Sequence, residues 1–194
     1  MSPRTANQQE SIRAETRERF LIAAMRLFAR FGFEQTTVRR IAEEAGVAQG
    51  LLYHYFENKD ALLRALFERS MQDVQDSFTI AVSGPPAERL ERLLRGSFEI
   101  LQRNREFWQL SYSVRAQPTV VAKLGDALPA WTQTILVTLQ GYLQEMGYAE
   151  PAVEALVLFA LIDGVSQQYV RTPDDFPLDA VVETIVAKYR KGME

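Results

Sequence analysis

The chain has 194 residues, with 22 Lys+Arg against 25 Asp+Glu, one histidine and no cysteine. The missing cysteines exclude a disulfide scaffold, thiolate metal sites and a cysteine nucleophile, and a lone His54 excludes multi-histidine metal sites. With 47% hydrophobic and 24% charged residues the chain can bury a real core, and its slight acidity is uneven: residues 1–40 hold eight arginines against four glutamates, a basic front end that suits a polyanion.

Residues 1–12 lack apolar periodicity and are expected to be a flexible arm. They also lack an apolar h-region, so no secretory signal and a cytoplasmic location are expected. Phe20, Ala24, Leu27, Phe28 and Phe31 recur every three or four residues and predict a first helix, stopped by Gly32. Thr36-Thr37 opens a short second helix with Val38, Ile41, Ala42 and Ala45; Gly46 breaks it, and Gln49–Tyr55 reads as a third. Asn58 is the expected N-cap of a fourth helix reaching about Val82, with Asp60 in its first turn.

Ser83-Gly84-Pro85-Pro86 is the clearest break, and the prolines suit the first turn of a fifth helix. Phe107 to Val114 predicts a sixth. A long seventh is expected from Pro118 to about Met146, kinked near Pro129. Glu150-Pro151 starts an eighth, TPDDFP at 172–177 is a loop, and a ninth carries Leu178, Val181, Val182, Ile185, Val186 and Tyr189. No alternation of strand type competes. The fold class is therefore all-α, about nine helices, in two sub-domains that share the fourth helix. The longest apolar run, ending at Ile162, is far short of the ~20 residues of a membrane span, so no membrane partner is expected.

Thr36–Lys59 has the layout of a helix-turn-helix. Two helices that cross closely need a small residue, which is Ala42. The sharp turn that follows favours a residue at ease with positive φ, which is Gly46. Ile41, Ala45, Val47 and Leu52 face inward, leaving Gln49, Gly50, Tyr53 and His54 outward on the element that enters a major groove. Tyr55 and Phe56 are expected in the core. His54 reads as a polar surface residue, since no acid–base partner pattern accompanies it. Of Arg39 and Arg40, at most one faces DNA and the other pairs with Glu43 or Glu44.

The run Phe28-Ala29-Arg30-Phe31-Gly32-Phe33, Thr36-Thr37-Val38, Ile41-Ala42-Glu43-Glu44-Ala45-Gly46-Val47, Gly50, Leu52-Tyr53, Tyr55-Phe56, Lys59 and Leu62-Leu63 resembles the DNA-binding domain of the TetR family of transcriptional regulators. The resemblance covers about a third of the chain, with Ala48 and Leu51 standing where hydroxyl residues are common and Tyr55 where His is frequent. It implies that Thr37 and Lys59 grip phosphates, that Tyr53 and His54 touch backbone or sugar, with Tyr53 able to reach a base edge, and that Gln49 and Gly50 meet bases. Gln pairs bidentately with adenine, and Arg39 has guanine within reach. The domains implied are a flexible arm at 1–12, a three-helix helix-turn-helix DNA-binding domain at 13–60, and a helical-bundle ligand-binding and dimerisation domain at 61–194.

The aromatic residues of the C-terminal half read either as packed core or as the lining of a ligand cavity among the fifth to eighth helices. The resemblance implies the cavity, with Phe98, Phe107, Trp108, Tyr112, Trp131, Asp163 and Gln167 as candidate ligand contacts. Asp163, set in Leu161-Ile162-Asp163-Gly164-Val165, is either buried with a partner or on a solvated seam. The eighth helix is apolar nearly all round and must be covered; a second copy, through the eighth and ninth helices, is the expected cover.

The implied function is a sequence-specific transcriptional regulator, a repressor released from a palindromic double-stranded operator by a small apolar or amphipathic effector. A DNA-binding activator or a helical protein-binding adaptor is the alternative. No enzyme activity, metal or cofactor is expected: the Glu-x-x-His pairs of di-iron bundles are missing, since Leu51 stands three before His54, and Asp174-Asp175 reads as turn chemistry.

Overall fold

A computed structural model describes residues 6–79 and 83–191. All regular structure among them is helical: α1 (Ala6–Phe31), α2 (Val38–Glu44), α3 (Gln49–Leu52), α4 (Lys59–Thr79), α5 (Pro86–Arg103), α6 (Arg105–Arg115), α7 (Pro118–Val121), a 3-10 turn (Ala122–Leu124), α8 (Ala127–Glu145), α9 (Pro151–Arg171) and α10 (Leu178–Lys191). Ten α-helices among the described residues stand against the roughly nine expected.

The differences have local causes. Residues 6–12, expected as an arm, form the first turns of α1; residues 1–5 lie outside the described residues. Residues 8–15 are exposed, so no apolar stripe marks them. The Gln, Glu, Arg and Ala content there is helix-favouring, with no glycine or proline from Ala6 to Phe31. The helix expected from Pro118 to Met146 is split, because the 3-10 turn ends at Gly125 with φ +59° and ψ −136°. Pro129, the expected kink, sits in the first turn of α8, where its missing N–H leaves no bond unmade. The third helix is shorter than expected, and Tyr53–Tyr55 form turns after it. The last expected residues of the fourth helix, up to Val82, lie outside the described residues.

The chain divides into two compact units. The first runs to Arg69 and takes in Ser113–Gly125; the second comprises Ser70–Tyr112 and the chain from Asp126 onward. The boundary falls inside α4, later than the expected residue 60. Segment 113–125 joins the first unit because Val114, Val120 and Leu124 are buried, Lys123 Nζ lies 3.2 Å from both carboxylate oxygens of Asp60, and Arg64 Nη1 donates to the Lys123 carbonyl at 3.0 Å.

Phe20, Phe28, Phe33, Ile41, Leu52, Leu62 and Leu63 form the centre of the first unit, all essentially without solvent contact. In the second unit Leu90, Leu94, Leu110, Leu139, Leu143 and Leu158 do the same for α5, α6, α8 and α9. α10 lays Leu178, Val182, Ile185, Val186 and Tyr189 inward. It is tied to α5 by a surface network in which Arg95 meets Glu91 and Glu183 while Arg190 also reaches Glu91.

Candidate nucleic-acid interface and ligand pocket

The interface begins with two turns that fix α3. α2 starts at Thr37, whose side-chain oxygen accepts the Arg40 amide at 3.3 Å. It ends in paired reversals, with Gly46 N–H donating to the Glu43 carbonyl at 3.1 Å and Val47 N–H to Ala42 at 3.0 Å. That is a Schellman cap, and it places Gly46 at φ +67°. Ala42 is buried at the crossing, as the sequence required. Arg19 of α1 donates to the carbonyls of Ala45 and Gly46. Part of the basic front end is therefore a clamp on the turn, which charge counting did not reveal.

α3 is one turn long. Its N-cap, Ala48, has no side chain to cap it. Downstream, Leu52 and Phe56 are buried, and Phe20 packs on the rings of Tyr55 and Phe56 at centroid distances of 5.7 and 6.3 Å. With its apolar residues anchored, the element turns Gln49, Gly50, Tyr53 and His54 outward, all exposed; Tyr53 is 53% exposed. Thr37 and Arg39 are exposed as well.

Two residues differ from expectation. Arg39, expected to reach guanine, is the arginine that pairs with Glu43, Nε to Oε1 at 2.8 Å. Arg40 lies over the Phe31 ring instead, 4.2 Å from its centroid. Lys59 was expected to grip a phosphate. Its ammonium instead donates to the carbonyls of Phe33, Glu34 and Thr36 at 2.8, 3.4 and 3.1 Å and sits 4.2 Å from the Phe33 ring centroid. Burial pushes its pKa below the ordinary lysine value, against the pull of Glu34. The helix cap is as expected, with Asn58 Oδ1 accepting the Ala61 amide at 2.8 Å.

The second unit contains a pocket between α5, α6, α8 and α9, with about 610 Å³ of empty space including its mouth, of which about 60 Å³ is open to the centre of a water molecule. Of the expected contacts, Trp108, Tyr112, Trp131 and Asp163 line it. Phe98 and Phe107 do not: both are buried in the core, Phe107 edge-on to Trp108 at 5.4 Å. Gln167 does not line it either; its Nε2 donates to Asp163 Oδ2 at 2.9 Å. The walls also include Leu93, Ser97, Ile135 and Phe159. No sequence signal separates these from ordinary core, because whether a buried side chain has a neighbour or a gap depends on how helices far apart in the chain meet. Among the described residues no group of three or more acidic or imidazole side chains is placed to hold a metal ion.

α9 leaves a stripe in solvent: Val153, Leu156 and Val157 are 53%, 54% and 46% exposed, and Ala160 and Gly164 continue it. By length and composition α9 could cross a membrane, which the run-length reading of the sequence missed because Glu154 and Asp163 interrupt it. On its other side Ala155 and Leu158 are buried, and Glu154 accepts the Tyr189 hydroxyl of α10 at 2.7 Å.

A short recognition element held out on a buried three-helix scaffold, with a separate helical unit enclosing a pocket, defines the class of helix-turn-helix regulators. Residues 20–66 match the bacterial regulatory proteins of the tetR family, and residues 86–189 match the C-terminal domain of BetI-type transcriptional repressors. The chain belongs to the TetR family of transcriptional regulators. It is 30% identical over 189 residues to the HTH-type transcriptional regulator TtgR of Pseudomonas putida, covering 87% of each chain. It is 43% identical over 107 residues to the HTH-type transcriptional repressor KstR2 of Mycobacterium tuberculosis, covering 51% of this chain and 48% of that one. The chain spans about half the length of KstR2 and of several other curated relatives it matches. The fold is shared with the transcriptional regulator FadR of Bacillus subtilis, solved in complex with stearoyl-CoA, at a TM-score of 0.76 and 22% identity over 91% of this chain and 99% of that one.

Proposed function

We propose that the protein is a homodimeric repressor that reads a palindromic operator through α3 and leaves it when a small apolar or amphipathic effector fills the pocket of the second unit. The observation that carries the DNA-binding half of this reading is the outward set Gln49, Gly50, Tyr53 and His54 on an element whose inward residues are locked. Gln49 and Gly50 meet base edges, while Tyr53, His54 and Thr37 hold backbone. Arg39 can exchange its exposed partner Glu43 for a base or phosphate at little cost, since an ion pair in open solvent is screened and contributes little. Lys59 acts in this reading as the lock on the α1–α2 loop rather than as a phosphate contact.

The exposed stripe on α9 supports a second copy as its cover. α10 adds small or polar outward residues, Ala180, Thr184 and Ala187, so apolar burial in the dimer comes mainly from α9. Two-fold symmetry then sets two α3 elements about one helical turn (~34 Å) or slightly more apart, and the protein acts in the cytoplasm where its DNA is. The effector releases DNA only in so far as it binds the released form more tightly than the DNA-bound one. That FadR was solved with an acyl thioester supports a lipophilic guest for the corresponding unit here. Selection from a random duplex pool tests the reading: an enriched inverted repeat is expected, and a pool without an enriched sequence, or with retention that does not weaken as salt rises, contradicts it.

A further inference from the structure

Trp108 and Trp131 both line the pocket of the second unit and are at least nine-tenths buried. Their rings lie 5.9 Å apart, centroid to centroid. Each indole Nε1–H is sealed from solvent, and neither has an acceptor among the described residues. An indole nitrogen can only donate, and a buried donor without an acceptor is costly, about 1–3 kcal/mol. Native cores place a tryptophan where its N–H is met, so two adjacent unmet donors sealed within the walls of one apolar pocket are satisfied when a guest parts those walls and brings an acceptor. The remaining walls restrict what can bring it. Among the described residues no lysine or arginine lines the pocket and the one charged lining residue is Asp163, so a guest with a negative group inside would be desolvated and repelled without compensation. Asp163 is itself engaged by Gln167, which leaves it a poor sole partner for a buried cation.

We infer that the guest of this pocket is an uncharged lipophile bearing oxygen acceptors, of the ketone, ester, thioester or amide kind, whose oxygen takes the N–H groups of Trp108 and Trp131. This rests on the reading of the pocket as the effector site and names the chemistry it selects. Any negatively charged portion of a larger effector stays outside the walls.

The chain's only two tryptophans are these two, so intrinsic fluorescence reports the pocket directly. Four probes of similar length separate the possibilities: heptan-4-one, heptane, heptanoate and hexyltrimethylammonium. Titrated into the full chain, heptan-4-one is expected to shift the tryptophan emission at lower concentration than heptanoate or the ammonium ion. Trp108→Phe and Trp131→Phe keep a ring in place, remove one donor each, and leave the other tryptophan as reporter. Each is expected to weaken heptan-4-one about tenfold more than heptane, whose affinity is the control for repacking. If heptanoate or the ammonium ion binds more tightly than the ketone, or if either replacement leaves the ketone-to-heptane ratio unchanged, the inferred chemistry is wrong while the pocket stands. Emission unmoved by all four probes overturns the pocket reading itself, and the inference with it.

Discussion

In the first unit the groups that turns leave over find one another. Arg19 takes the carbonyls at the end of α2, Lys59 takes three carbonyls of the α1–α2 loop, and Lys123 takes Asp60. Its exposed large apolar residues are scattered, and one of them, Phe31, lies under the Arg30 and Arg40 guanidiniums. In the second unit the demands stay open. All the buried side-chain polar atoms without a partner among the described residues, on Arg89, Trp108, Ser111 and Trp131, lie there. So does the contiguous exposed stripe of α9. A unit that satisfies itself presents a fixed shape, as a reader of base edges must. A unit with unmet donors and uncovered apolar surface invites completion by other molecules, in the proposed function a second copy and a small guest.

That contrast can be broken first at α9. Leu156→Glu places a charge from each protomer at the proposed interface, and sedimentation should show the dimer dissociation constant rising by about 100-fold or more, with operator affinity falling alongside. A dimer indifferent to the change would mean that the stripe is not its cover. Next comes the lock: Lys59→Met leaves three carbonyls without their cation and should cost the first unit about 3 kcal/mol in chemical denaturation. The salt slope of DNA binding should stay unchanged in the folded variant; a slope lower by about one would return Lys59 to the phosphates.

Gln49→Ala should leave stability alone and change operator choice, by about 2 kcal/mol at a single base pair, in competition binding against single-base operator variants. Gly46→Ala should cost about 1 kcal/mol of thermal stability, because φ +67° is strained for alanine and its Cβ would meet Arg19 Nη2 at 3.0 Å. The smallest effect belongs to Glu183→Gln. The Arg95 guanidinium holds the Glu183 carboxyl below the ordinary carboxylate range, so its contribution is present above that range and is lost as pH falls through the depressed value. A slight difference in melting temperature at neutral pH should therefore vanish in acid and shrink in high salt.

The legibility of the two units in the sequence follows the same contrast. Ala42 at the crossing, Gly46 at the turn, Asn58 at the cap and the outward set on α3 were readable because a helix-turn-helix fixes residue types at fixed spacing. What escaped there were long side chains acting across the fold: nothing local marks Arg19 or Lys59 as clamps rather than phosphate contacts. α1 began earlier than periodicity suggested, since a solvated helix needs no stripe. In the second unit, helix positions were readable from apolar spacing, apart from the break at Gly125. The pocket was readable only in part, because Trp108 and Phe107 are neighbours of like chemistry, and only the assembled helices decide which of them faces a gap.

In the proposed dimer two copies of α3 address one duplex from the same side. Hydroxyl-radical footprinting on the selected operator reads that arrangement out. Two protected patches are expected on one face of the DNA, about a helical turn apart and symmetric about the operator dyad, with the Gln49→Ala footprint keeping that spacing on its own preferred sites. A single patch, or protection without a dyad, would contradict it.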